Sequence, residues 1–314
     1  MTQLNDLVSK VQDVQTMSET KIADAVSNMI SLTKQYIEDN NLQSLVIGVS
    51  GGLDSAVVSA ILQEENTGVP LIGLSIPMSS SDAHKEQAQW VGSHYCTAFE
   101  EFKGWDQSPN DYEDDHLYDI IDSTVAGTDR LAVEAGFNIH NFPHWILQGN
   151  IKARLRMITL YDLARKTNGM VLSTDNLSEY LAGFWTINGD VGDWGIIQNI
   201  WKGFELPQIA KYIGVRDDII TQKPSDGLSV TEDDTDEAQL GMTYQEFDTI
   251  VGIYTGRITE DVITLSRLDD MLSTIIVSGS EDDREKVRVA IKRYKSTEFK
   301  RTGTINLDRE LIFG

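Results

Sequence analysis

Gly48-Val49-Ser50-Gly51-Gly52-Leu53-Asp54-Ser55 decides how this chain is read. The run Ser44 to Val49 is short, apolar and β-branched, the pattern of a buried strand, and residues 54 to 65 read as a helix. Two adjacent glycines between them let the backbone turn sharply and approach an anion closely. The helix that follows offers free N–H groups and the positive end of its dipole, and Ser50 and Ser55 add hydroxyl donors. Asp54 does not belong in a pure anion site, because it repels phosphate; a cation between the two removes the conflict. The segment lacks the lysine of a Walker loop and the third glycine of a dinucleotide-binding fingerprint.

Outward from this loop, strands and helices alternate. Residues 20–39 carry Ile22, Val26, Met29, Ile30 and Ile37 at helical spacing. Pro70 to Ile76 reads as a second strand, and Ser81 and Asp82 cap a helix running to about His94. Residues 106–115 read as an acidic surface loop. Trp145 to Asn168 reads as a long helix with Gly169 as its C-terminal cap. Met170 to Ser173 reads as a strand and Asn176 to Gly183 as the start of a helix. Residues 223–237 read as a polar loop, and 244–296 as two or three helices. This alternation predicts an α/β fold, a doubly wound parallel sheet with helices on both faces. One domain is expected: a helical arm over 1–40, a core over 41–240, and helices with a tail over 241–314.

The composition sets limits on partners. Of 314 residues, 40% are hydrophobic and 24% charged, as in ordinary globular proteins. No apolar stretch reaches membrane-spanning length, and Met1 to Glu19 lacks the apolar run of a secretory signal. The lone Cys96 has no internal disulfide partner, so a reducing, cytoplasmic setting is expected, with Cys96 a small core residue. The net charge of −23 disfavours nucleic acid and anionic membranes. A polyanionic substrate would need local cations or a metal ion.

The phosphate loop resembles the SGGxDS loop of the ATP pyrophosphatases, which cleave ATP to AMP and pyrophosphate. Further segments narrow the resemblance to the ammonia-dependent NAD synthetases. Gly149-Asn150-Ile151-Lys152-Ala153-Arg154-Leu155-Arg156-Met157 is similar to their GNxKARxRM helix. Ser173-Thr174-Asp175-Asn176-Leu177-Ser178-Glu179 is similar to their GTDxxxE segment. Gly183-Phe184-Trp185-Thr186, Gly189-Asp190, Lys223-Pro224-Ser225, Thr235-Asp236-Glu237, Leu240 to Tyr244 and Lys300-Arg301 follow in the family's order, over roughly residues 20 to 302.

The resemblance implies an adenine nucleotide alpha hydrolase-like fold and ATP-dependent amidation of deamido-NAD by ammonia through an acyl-adenylate. It implies that Gly48 to Ser55, Thr174, Lys202 and Ser225 bind ATP, and that Asp54 and Glu179 hold Mg²⁺. Arg154, Asp193, Phe299 and Lys300 are implied for deamido-NAD, and Asp190 for ammonia. A homodimer is implied as well. Only about 40 residues precede the first strand and the one cysteine lies within the synthetase region, so free ammonia, or ammonia supplied by a separate partner, is the expected nitrogen source.

Several positions depart from the family pattern. A substrate-contacting lysine is Ile187, the aspartate at Asp193 and the lysine at Lys202 each sit one residue early, and the tail His-Lys is Phe299-Lys300. The ATP half is intact and the dinucleotide half altered, so an amide-forming ligase for another carboxylate is the alternative, with a non-catalytic nucleotide-binding protein behind it. Lys152 and Arg156 read as solvated helix charges and Glu232-Asp233-Asp234 as a solvated loop face. Trp185 is a candidate to stack on the nicotinate ring, while Trp194 and Trp201 read as core.

Overall fold

Strands β1 (Ser44–Gly48), β2 (Leu71–Ser75), β3 (Ala98–Glu101) and β4 (Gly169–Val171) form one parallel sheet in the order β3-β2-β1-β4. The computed structural model describes residues 2–78, 81–102, 116–138, 144–223, 235–303 and 308–309. In chain order its helices are α1 (Gln3–Gln15), α2 (Glu19–Asn40), α3 (Leu53–Ile61), α4 (Glu64–Thr67), α5 (Asp82–Tyr95), α6 (His116–Glu134) and α7 (His144–Lys166). They continue with α8 (Leu177–Ala182), α9 (Glu205–Tyr212), α10 (Asp217–Ile220), α11 (Asp236–Leu240), α12 (Tyr244–Tyr254), α13 (Val262–Ser278), α14 (Glu281–Ser296) and α15 (Glu298–Arg301).

Strand β1 shows why the sheet is covered twice. Its side chains alternate, as a pleat requires. Leu45 and Ile47 enter a core with α2, α3, α5 and α9, whereas Val46 packs on the opposite face with Met157, Leu160 and Ala164 of α7 and Ile121 of α6. A second body of core lies beyond the sheet: α1, α12, α13 and α14 enclose Leu4, Leu7, Val11, Phe247, Ile250, Leu272 and Val287. The short helix α8 adds Leu177, Leu181 and Ala182 to that body. No helix among the described residues is long and apolar enough to cross a membrane.

Most boundaries agree with the sequence within two or three residues, including Ser81, whose hydroxyl accepts from His84 N–H as the cap of α5. Gly169 is a correction: it is the first residue of β4, and Asn168 takes the left-handed turn at φ 48°. Residues 106–115 and most of 223–237 lie outside the described residues.

The chain passes from β1 to β2 on one side and reaches β4 on the other. This reversal opens a crevice at the carboxyl ends of β1 and β4, where open α/β sheets bind ligands.

Candidate active site

The turn after β1 is built around Gly51, which has φ +84° and lies against α5. A Cβ there would stand 2.3 Å from the His84 carbonyl oxygen and 2.9 Å from Ala88 N. Ser50 Oγ accepts from Gly52 N–H at 3.2 Å and lies 3.1 Å from Ser55 Oγ, which itself donates to the Gly52 carbonyl. Gly52 is the N-cap of α3 and supplies no side-chain acceptor, so the first-turn N–H groups keep their capacity for an anion. Ser50, Gly52, Leu53 and Asp54 line a cleft of about 570 Å³. Thr174, Asp175, Glu179, Asp190, Lys202, Asp236 and Tyr244 also line it.

The segment after β4 delivers the acidic partner. Asn176 caps α8 in a reciprocal box: its side chain accepts from Glu179 N–H, and its own N–H donates to Glu179 Oε2 at 3.4 Å. The same Asn176 donates from Nδ2 to Asp54 Oδ1 at 2.7 Å. The remaining oxygens of the two acids meet Lys202, whose Nζ lies 3.1 Å from Asp54 Oδ2 and 2.5 Å from Glu179 Oε1. Asp236 Oδ2 is 3.8 Å from the same ammonium, and Tyr244 OH donates to that oxygen at 3.0 Å. Burial opposes the charge on Lys202, yet Asp54, Glu179 and Asp236 hold its pKa well above the ordinary lysine value. Burial pushes the Glu179 carboxyl upward; Lys202 works against this and Asp54 adds to it.

These oxygens suit a hard divalent cation, and the Lys202 ammonium already demonstrates that they converge on positive charge. Among the described residues no group of three or more His, Cys, Asp or Glu is arranged to hold a metal by itself. Two carboxylates with phosphate and water completing the shell is the usual magnesium arrangement.

Asp190 lines the cleft, where its Oδ2 accepts from Thr186 N–H at 2.5 Å and closes a turn. Asp175 is buried and accepts from Ser173 Oγ at 3.1 Å; burial, then the nearby Asp190, push its carboxyl up to about 7. Thr174 lines the cleft and is not the helix cap, a role that Asn176 takes.

Arg154, Asp193, Phe299 and Lys300 lie outside the described lining of this cleft. Arg154 Nε donates to the Ile187 carbonyl at 3.3 Å. Asp193 accepts from Tyr161 OH at 2.9 Å and from Val171 N–H at 3.2 Å, which fastens its loop to β4. Phe299 is 61% exposed. Lys300 Nζ donates to the carbonyls of Gly183 and Trp185 and stands 5.6 Å from the centre of the Trp185 ring. Ser225 and the run 232–234 lie outside the described residues.

Two charges expected in solvent are elsewhere. Lys152 is fully buried, and Arg156 lines the cleft and donates to the Ile76 carbonyl at 3.2 Å. Trp201 is core, and Trp194 donates to Thr33 Oγ1 at 2.9 Å. Cys96 is largely enclosed, and burial pushes its thiol up to about 12. Sequence reasoning missed Asn176 and Asp236 as parts of the acidic cluster. Asp236 sat inside the quoted Thr235-Asp236-Glu237, but nothing local to it shows that it faces Lys202.

The sequence model of the NAD synthase family matches residues 25–101 and 118–304. An NH(3)-dependent NAD(+) synthetase of Finegoldia magna is 34% identical over 233 residues, covering 74% of this chain and 84% of that protein. Two solved structures share the fold. NMN synthetase from Francisella tularensis has a TM-score of 0.65 at 22% identity, covering 93% of this chain and 100% of that one. The NH3-dependent NAD synthetase from Campylobacter jejuni has a TM-score of 0.63 at 20% identity, with the same coverage.

Proposed function

The chain belongs to the NAD synthase family, and on that premise we propose that it amidates the nicotinate carboxylate of deamido-NAD with ammonia, converting ATP to AMP and pyrophosphate. The observation that carries this reading is the meeting, in one cleft, of an uncapped helix N-terminus and the partly buried pair Asp54–Glu179.

A carboxylate is a poor acyl donor until its oxygen becomes part of a good leaving group. In the first step a substrate carboxylate oxygen attacks the α-phosphorus of ATP and the bond to pyrophosphate breaks. The loop from Ser50 to Ser55 and the first turn of α3 bind the departing pyrophosphate with donors fixed before the reaction. Asp54 and Glu179 would hold Mg²⁺, which neutralises phosphate charge when bound. In the second step ammonia attacks the acyl carbon and AMP leaves. Ammonium must first lose a proton, and Asp190, held by the Thr186 amide at the cleft wall, would take it.

The same reading includes a cytoplasmic homodimer. Light scattering should give twice the 35.0 kDa of one chain.

The deciding assay is NAD formation by the pure protein from deamido-NAD, ATP, Mg²⁺ and ammonium, with glutamine as the comparison donor. Turnover with ammonium alone supports the reading; no NAD from either donor overturns it. One observation favours a second reading, a ligase for a different carboxylate: Ile187 replaces a cation in the family pattern, and Arg154 and Lys300 already donate to main-chain carbonyls. AMP release with another acid, and none with deamido-NAD, would select it.

A further inference from the structure

Asp54 and Glu179 divide their four oxygens between two partners. Asn176 takes one from each, Asp54 Oδ1 at 2.7 Å and Glu179 Oε2 at 3.4 Å. Lys202 takes the other two, at 3.1 and 2.5 Å. The oxygens that face the cleft cation are therefore already in use. Magnesium bonds oxygen at about 2.0–2.1 Å. An ion bridging Asp54 Oδ2 and Glu179 Oε1 would fall within the volume of the Lys202 ammonium, so the two cations exclude each other.

The main chain of Lys202 is held in place. Its N–H donates to Ser178 Oγ at 2.9 Å, and the next residue's N–H donates to Asp248 Oδ2 at 2.8 Å. Gly203 sits so tightly that a Cβ would lie 2.8 Å from both Asp248 Oδ2 and Gln245 N. Movement of the ammonium must come from the side chain's own torsions. Asp236 Oδ2 at 3.8 Å and the Tyr244 ring, 4.9 Å from its centre, flank the ammonium.

We propose that Lys202 is an exchangeable resident cation, which holds Asp54 and Glu179 ready for a metal and is displaced when metal and nucleotide arrive together. The proposal rests on the reading of that pair as metal ligands. Expelling a buried ammonium from its counter-ions is costly unless another anion receives it. Free metal brings no such anion, whereas metal with nucleotide brings phosphate oxygens into the cleft that Lys202 lines. Metal and nucleotide binding are thereby coupled.

The test uses the full chain and Mn²⁺, whose free signal in electron paramagnetic resonance falls on binding. Wild type, Lys202→Met and Lys202→Arg are each titrated without nucleotide, and wild type again with an ATP analogue bearing a methylene bridge between the α and β phosphorus atoms, corrected for Mn²⁺ held by the analogue alone. Lys202→Met should bind Mn²⁺ without nucleotide at least about tenfold more tightly than wild type. Lys202→Arg, which keeps the charge, should resemble wild type. Equal affinity in wild type and Lys202→Met overturns the exchange while leaving the metal site standing. If no form binds Mn²⁺ with or without nucleotide, the ligand reading itself fails. Should Lys202→Met not fold, thermal melting of wild type decides: the shift with Mn²⁺ and analogue together should exceed the sum of the separate shifts, and simple additivity refutes the coupling.

Discussion

The Asn176 side chain donates to Asp54 Oδ1 at 2.7 Å across 122 residues of sequence. One amide thus caps α8 and orients the acid of the phosphate loop. Asn176→Asp keeps the cap but turns the donor into an acceptor facing Asp54. Its kcat should fall tenfold or more, and the stability lost to the buried like-charge contact should return at low pH, where the new carboxyl is protonated, as a lost cap would not. Asn176→Ala should lose activity and, in addition, about 1 kcal/mol of stability with the cap. Denaturation and steady-state kinetics on both variants separate the two roles.

Replacing either acid tests the centre of the cleft. Asp54→Asn and Glu179→Gln should each lower AMP release by at least about a hundredfold, the scale of losing electrostatic stabilisation in a closed site. Circular dichroism should remain native. Near-normal turnover of Glu179→Gln at limiting magnesium would remove it from the ligand set.

Local patterns made the strand, loop and helix around Gly51 and Gly52 legible, because the turn chemistry and the apolar run are contiguous. The Ser81 cap was legible for the same reason. The proposed ligand pair came from motif resemblance rather than spacing: Asp54 and Glu179 meet through Asn176 and Lys202, contacts that only the strand order creates. Lys152 was misread because charge alone suggests solvent, whereas the inner face of α7 is enclosed by the fold and buries it. Gly169 was misread because Asn168 can take the same left-handed turn.

Gly51→Ala places a methyl group against the His84 carbonyl and forces a side chain into a positive-φ turn. The variant should lose more than about 1 kcal/mol of stability and bind ATP more weakly, since the loop must lift from α5. Urea unfolding and nucleotide titration measure both effects. Unchanged stability would mean that the loop sits further from α5.

Asp248 is fully buried and accepts from Gly203 N–H at 2.8 Å, and its Oδ1 has no hydrogen-bond partner among the described residues. Burial, opposed by the Ser178 and Gly203 donors, pushes its carboxyl up to about 7. The unfolded value is about 3.9. A raised folded pKa means that the native state prefers the protonated acid. Its stabilising contribution is fully present below about pH 4 and is lost as pH rises through about 7. Melting temperature should therefore decline between about pH 4 and 7, and Asp248→Asn should flatten that decline. An identical slope in the variant would assign the effect to other groups, of which Asp175 is the first candidate.

Ile187 is 37% exposed and its carbonyl accepts from Arg154 Nε. Because main-chain geometry makes that contact, Ile187→Lys can keep it while adding a cation. The apparent affinity for deamido-NAD should rise about tenfold, the scale of one charged hydrogen bond, with that for ATP unchanged. Kinetics with each substrate varied in turn would expose an Ile187 that does not meet the ligand.

Asp54 rides on α3, rooted in the sheet through Ala56, Val57 and Val58, while Glu179 rides on α8, rooted in the helical body through Leu177, Leu181 and Ala182. The proposed catalytic pair is therefore bolted to two separate foundations, and turnover should gauge how well these are docked rather than whether each is folded. A slight slippage between them breaks the pair while leaving every strand and helix intact. In mild denaturant, activity should disappear ahead of the circular dichroism signal. A destabilising change at Leu272, deep in the helical body and remote in sequence from either acid, should silence the enzyme before it unfolds it.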